Sequence, residues 1–366
     1  MVGDWVSWQT INLDSGCQRC PGFARMAHLS PKLKLLIATL KVLLAVVILG
    51  YLFERIQESS GFSRLVREPK HWPSLAAAQA VVLVAFSLSF VRWFLLVRGL
   101  GLAFHLRDAF RLGTLGFMFN QISPGSVGGD LLKAVFIAKE QPGRRTEAVA
   151  TVLIDRAVGL YAMLLVASLG LLLVSDEIGQ SLIVQNLRVV VWWATAIGAL
   201  GFAWVMSPLA TGRRVRGWAD RLPVVGHTVT RLVDAAAVYH SRRPYVFAAL
   251  ALALATHTLL ILAFWFASRG LPVYHPTLYQ NASIVPPSLV AGALPLTPGG
   301  LGTMEAALEF FYVTLGAREG DGTIVALSYR AMSYFFAAVG ACYYLTSRKK
   351  IDVMLHEAEK LADELD

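Results

Sequence analysis

Apolar residues in this chain run in blocks about as long as a bilayer is thick, separated by polar and basic segments. A helix needs about 20 such residues to cross the hydrocarbon. Six uninterrupted blocks predict spans at 33–53, 74–97, 147–174, 189–206, 245–267 and 323–346. Two further blocks, 109–138 and 281–315, are broken by helix breakers. The first holds Asn120-Gln121-Ile122-Ser123-Pro124-Gly125-Ser126-Val127-Gly128-Gly129-Asp130, and the second holds PLTPGGLGTME at 295–305. A broken backbone at membrane depth survives only where it is buried in protein or lines a watery cavity. The pattern predicts an all-α polytopic membrane bundle, with about six full spans and two re-entrant broken hairpins.

Composition reinforces the pattern. The chain is 56% hydrophobic and 16% charged, against roughly 25% charged in soluble domains. A length of 366 residues is therefore read as one helical bundle rather than several soluble domains. The net charge of +9 comes from basic residues spread over several loops. No aromatic-interleaved basic patch exists, so nucleic acid is excluded as a partner. The loop 207–244, the segment 139–146 and the tail 347–366 carry the basic clusters and are expected to be cytoplasmic. The loops 175–188 and 268–280 are expected outside, and 54–73, which mixes both signs, also falls outside. Residues 1–32 read as a polar cytoplasmic tail, followed by a retained first helix. On these sides the first broken segment dips in from the cytoplasm and the second dips in from outside. Both termini then face the cytoplasm, and the expected home is a bacterial inner membrane.

The two broken segments repeat each other. Ser123-Pro124-Gly125-x-x-Gly128 and Thr297-Pro298-Gly299-x-x-Gly302 share the pattern [ST]-P-G-x-x-G, 174 residues apart. The same offset carries Arg156, inside one apolar span, onto Arg330 inside another. It also carries 74–97 onto 248–271, and it nearly aligns Asp130 with Glu305. Repeat 1 thus covers about 74–174 and repeat 2 about 245–346. The extra span at 189–206 inverts the second copy, which is the plan of many secondary transporters.

Half-helices that end at membrane depth leave N–H groups free, and their N-termini carry partial positive charge. Glycines let a ligand approach such backbone closely. The hairpin tips are therefore candidate anion sites. The candidate substrate-binding residues are Ser123, Pro124, Gly125, Gly128, Gly129, Asp130 and Arg156 in the first repeat. In the second they are Thr297, Pro298, Gly299, Gly300, Gly302, Glu305 and Arg330. The two arginines are candidates to grip an anionic headgroup, or to tie the hairpins to the bundle by ion pairing. Asp130 or Glu305 is a candidate proton carrier. Arg92 and Arg98 are expected to snorkel, His257 reads as a relay or a hydrogen-bonded core residue, and Cys342 reads as core. Cys17 and Cys20 form a lone CxxC, short of the four ligands a zinc site needs. Val224 to Tyr239 and Ile351 to Leu365 read as amphipathic stretches.

The pair SPGSVGGD and PLTPGGLGTME, each followed by an Arg-bearing helix, resembles the lysylphosphatidylglycerol synthase transmembrane region, also called the flippase-like domain family. The resemblance covers about residues 33–346. In full-length synthases a soluble aminoacyl-transferase domain follows. The chain stops 20 residues after its last predicted span, so synthase activity is not expected. The resemblance implies the flippase half: moving a lipid with an anionic or polar headgroup between leaflets. It also implies candidate substrates such as phospholipids, polyprenyl-phosphate-linked glycans or hopanoid lipids. No GxxxxGK[ST] motif, nucleophile–base pair or metal-ligand cluster is present, so no cofactor is expected. Two other readings stay open: a membrane enzyme acting on lipid phosphates, and an accessory protein for a lipid-modifying enzyme. An oligomer is possible.

Overall fold

The computed structural model describes residues 61–363 except 123–127, 142–143, 173–181, 208–238 and 295–296, together with scattered helical positions between 39 and 54. The elements are α1 (Gly61–Arg67), α2 (Trp72–Gly99), α3 (Leu106–Ile122), α4 (Gly128–Glu140) and α5 (Arg145–Leu172). They continue as α6 (Leu182–Val205), α7 (Arg243–Gly270), α8 (Leu278–Ala293), a 3₁₀ turn (Pro298–Gly300), α9 (Thr303–Thr314) and α10 (Asp321–Asp363). Five of these contain segments long and apolar enough to cross a membrane: Trp72–Gly99, Glu147–Leu172, Val184–Val205, Arg243–Gly270 and Asp321–Leu345. They correspond to five of the six uninterrupted apolar blocks. The sixth, 33–53, lies largely outside the described residues.

Local chemistry sets the helix starts. α2 and α7 each open with a proline in the first turn, where the missing N–H has no intrahelical partner to lose. α8 opens on a capping box. Thr277 accepts from the Gln280 N–H at 3.2 Å, and the Gln280 side chain accepts from the Thr277 N–H at 2.8 Å.

Both interrupted blocks fold as helix–break–helix hairpins, α3–α4 and α8–α9. Their ends sort to opposite faces of the bundle. At one face, Gln141 donates to the Ala103 carbonyl at 2.7 Å and Arg144 to the Leu100 carbonyl at 3.0 Å. Tyr239 donates to the Leu96 carbonyl there at 2.8 Å. The start of α3 and the end of α4 therefore share this face with the end of α2 and the start of α7. At the other face, the His71 N–H donates to the Gly270 carbonyl at 3.1 Å. Arg64 pairs with Asp321 at 2.9 Å, and Asp321 also accepts from the Tyr274 N–H at 2.9 Å. Gly170 near the end of α5 lies against Ala282 near the start of α8. The second hairpin enters there.

These contacts make α2 and α7 antiparallel partners along their length, from His71–Gly270 at one end to Gly99–Tyr245 at the other. α3 packs on α10, and α8 packs on α5. Exchanging α2 with α7, α3 with α8, α4 with α9 and α5 with α10 maps each of these pairings onto another. The two repeats are thus related by an inverted pseudo-twofold, and each hairpin's first arm leans on the final helix of the other repeat. α6 stands outside this symmetry and packs on α5, with Ser168 and Thr195 hydroxyls 2.7 Å apart. Trp93, Leu96, Phe104 and Leu115 form one core cluster, and Phe264, Leu308 and Tyr312 form another. Phe86, Phe90, Phe117 and Phe336 interlock between α2, α3 and α10.

Two expectations are corrected. Cys342 is exposed on the outer surface of α10 rather than in the core, because a lipid-facing helix surface is as apolar as an interior. The amphipathic tail is not a separate helix: α10 runs unbroken from Asp321 to Asp363, since no Gly or Pro follows Gly340 to stop it. Cys17, Cys20 and Val224–Val238 lie outside the described residues.

Candidate functional site

The second hairpin tip is built by its glycines and held by one arginine. Gly299, Gly300 and Gly302 have φ of +59°, +65° and +87°, a region that suits glycine. A Cβ on Gly300 would also stand 2.1 Å from the Gly292 carbonyl oxygen, so the two arms cross there backbone to backbone. Glu305 sits three residues into α9 and accepts from the Gly302 N–H at 2.8 Å, as a helix-starting carboxylate does. Arg330 reaches over from α10. Its Nε donates to Glu305 at 2.5 Å, and its Nη1 and Nη2 donate to the Gly299 and Gly300 carbonyls at 3.1 Å each. The side chains of Glu305 and Arg330 are 0% and 9% exposed. Arg330 is thus spent on the tip's own backbone, in the tying role. Thr297 is buried, and its hydroxyl has no hydrogen-bond partner among the described residues. Nearby, Glu309 accepts from the N–H of Gly320 at 2.5 Å and of Thr323 at 2.8 Å.

The first hairpin repeats the plan with a different outcome. Ser123, Pro124 and Gly125 lie outside the described residues. A Cβ on Gly129 would stand 1.8 Å from the Gly116 carbonyl oxygen, so these arms also cross at glycines. The Gly129 N–H donates to the Asn120 side chain at 2.8 Å. Asp130, the counterpart of Glu305, pairs with Arg156, the counterpart of Arg330. Yet the Arg156 side chain is 46% exposed and Asp130 15%. Lys133 adds a second cation, with Nζ 4.0 Å from Asp130 and 5.3 Å from the centre of the Trp93 ring.

The hairpins meet. A Cβ on Gly299 would lie 3.6 Å from both the backbone and side-chain oxygens of Gln121, which places the second tip against the last turn of α3. Beside this meeting point a cleft of about 390 Å³ opens between α3 and α10, lined by Met118, Gln121, Tyr334, Ala337, Ala338 and Ala341. Ile48, from the apolar block 33–53, lies against Gly302. Gln121 and Tyr334 were not picked out from sequence. Gln121 stands two residues before the SPG motif and Tyr334 follows Arg330 by one helical turn, which are the signals that point to them.

Arg92 is corrected. It does not snorkel but is buried, and its Nε and Nη2 donate to the Asp155 carboxylate at 2.7 and 3.1 Å. The sequence pattern hid this because the partner lies 63 residues away on α5. Arg98 is exposed. His257 Nε2 stands 3.1 Å from the Gly159 carbonyl oxygen, the hydrogen-bonded core option.

Neither characterised proteins nor solved structures give a match to this chain. The family model described as the lysylphosphatidylglycerol synthase TM region matches residues 38–340. That match takes in both hairpins, both acid–arginine pairs and the five described spans up to Gly340. The chain belongs to the lysylphosphatidylglycerol synthase TM region family.

Proposed function

We propose that the chain is a non-catalytic lipid transporter of the flippase or scramblase type. It moves a lipid with an anionic or polar headgroup past the two opposed hairpin tips while the hydrocarbon chains stay in the bilayer. The observation that carries this reading is the contact of the second tip with the last turn of α3: two hairpins from opposite faces meet at Gly299 and Gln121. A broken backbone at that depth is built where a polar ligand must be held. Ser123 to Asp130 and Thr297 to Glu305 line the path in this reading, and rocking of one repeat against the other supplies alternating access. The face that carries Arg98, Lys139, Arg144 and Arg243 is cytoplasmic on this proposal.

The test is leaflet exchange in liposomes loaded with head-labelled phospholipids and a polyprenyl phosphate, with and without a proton gradient. The protein should accelerate exchange of at least one phosphate-bearing lipid, and G299A/G302A should abolish it, because alanine is strained at positive φ. Exchange of no lipid under either condition overturns the reading. A second reading, an accessory protein for a lipid-modifying enzyme, draws on the extension of α10 from Leu345 to Asp363 beyond its span. It expects hairpin variants to be silent and truncation after Thr346 to abolish function.

A further inference from the structure

The cleft between α3 and α10 starts at the hairpin contact and runs toward one face of the bundle. Its polar end is Gln121, which adjoins Gly299, and Tyr334, one turn beyond Arg330. Its other walls are apolar: Met118 on α3, and Ala337, Ala338 and Ala341 on α10. Tyr334 stands near the middle of the Asp321–Leu345 span, and Ala341 one turn from its end. At 1.5 Å per residue the cleft extends about 10 Å along α10. Asp321 lies at the face where the second hairpin enters. The apolar part therefore occupies the half of the bundle nearer the other face, where Gln141 and Arg144 lie. Tyr334 and Ala338 are exposed, so the cleft opens sideways to the bilayer.

This space suits a hydrocarbon chain. The lining passes from polar at the tip to apolar away from it, as a lipid passes from headgroup to chain. Its volume of about 390 Å³ falls within the range of ligand pockets, roughly 300–1,000 Å³. Nor does it follow from the repeat. The 174-residue offset puts Met163 and Leu164 of α5 where α10 has Ala337 and Ala338. Met163 is buried and Leu164 packs against a core cluster. Small side chains thus open α10 where its counterpart is filled. The helices cannot close the gap by approaching. A Cβ on Gly340 would already lie 2.7 Å from the Thr114 carbonyl oxygen and 3.1 Å from Met118 Cβ. An unfilled gap forfeits dispersion contacts, which are a main source of helix association in lipid. A chain laid in the cleft restores them.

We propose that the cleft seats one hydrocarbon chain of a membrane lipid, in the cytoplasmic half of the bilayer, while its headgroup lies at the hairpin tips. This rests on the transport reading and adds to it the surface that holds the chain.

The test uses the full chain in phosphatidylcholine liposomes. A trace of phosphatidic acid or of diacylglycerol is added, each with the same photoactivatable diazirine in one acyl chain. Illumination and mass spectrometry give the ratio of phosphatidic acid to diacylglycerol adducts at each helix. That ratio should be several-fold higher at Met118 and at Tyr334–Ala341 than at the exposed Trp193, Ile197 and Leu200 of α6. A338F/A341F fills the cleft from an exposed and a half-buried position, and should lower the Met118 ratio to the α6 value. V339F, on exposed surface beside the cleft, should leave it unchanged. Equal ratios at the cleft and at α6 mean general boundary lipid and overturn the proposal. An unchanged Met118 ratio in A338F/A341F overturns it too. So does cross-linking of A338C to a second chain, which assigns the cleft to another copy of the protein. Should A338F/A341F fail to fold, the unsubstituted protein's contrast between cleft and α6 still decides. Leaflet exchange in the same liposomes separates the two readings. Exchange with equal ratios sinks the chain site alone. A cleft-specific ratio without exchange of any lipid sinks the transport reading and leaves the chain site standing.

Discussion

At the residue scale, the second hairpin depends on a closed set of contacts around Arg330. Removing one partner of a buried pair strands the other charge, at a cost of about 3–5 kcal/mol. R330M or E305L alone should therefore lower the melting temperature in detergent sharply. The double variant E305L/R330M should recover much of that loss in the same melt. A double variant no more stable than either single one would mean that the guanidinium's bonds to Gly299 and Gly300 carry the tip by themselves. The glycine crossings give a second prediction. G129A and G300A place a Cβ within 1.8 and 2.1 Å of a carbonyl oxygen, so each should shift its hairpin arm and reduce the yield of monodisperse protein. G201A, with nothing within 4 Å of its Cβ, should not.

At the element scale, each hairpin leans on the other repeat's last helix through a small residue. A Cβ on Gly170 would meet the Ala282 carbonyl at 2.0 Å, and one on Gly340 would meet the Thr114 carbonyl at 2.7 Å. Larger residues at such positions overpack by about 1–3 kcal/mol. G170V and G340V should each lower stability in a detergent melt, with G170V the worse because its clash is closer. Much of this level was legible in the chain. The breakers at 297–302 located the second tip, and the 174-residue offset paired Arg156 with Arg330. The pairing of Arg92 with Asp155 was not legible, because nothing local links residues on two different helices. The continuous α10 was also misread, since a change from apolar to amphipathic pattern does not by itself break a helix.

At the scale of the whole molecule, the inverted pseudo-twofold places the hairpin entrances on opposite faces. His105, with a side chain 87% exposed, lies at one face, and Arg318 lies exposed at the other. In a background with Cys17, Cys20 and Cys342 replaced, H105C and R318C should react with a membrane-impermeant thiol reagent from opposite sides. On the proposed orientation R318C labels in intact cells, and H105C labels only in inside-out vesicles. Labelling of both from one side would contradict the inverted arrangement.

The sequence by itself determined the membrane class, the two broken hairpins and the repeat. These follow from block length, backbone-breaking residues and spacing, all of which are properties of neighbouring positions along the chain. Tertiary structure alone decided what the paired charges do. Asp130–Arg156 and Glu305–Arg330 nearly coincide under the repeat offset, yet one is half open and shares its carboxylate with Lys133, while the other is sealed onto the tip carbonyls. Burial and the supply of nearby partners set that difference, and both depend on which helices pack together.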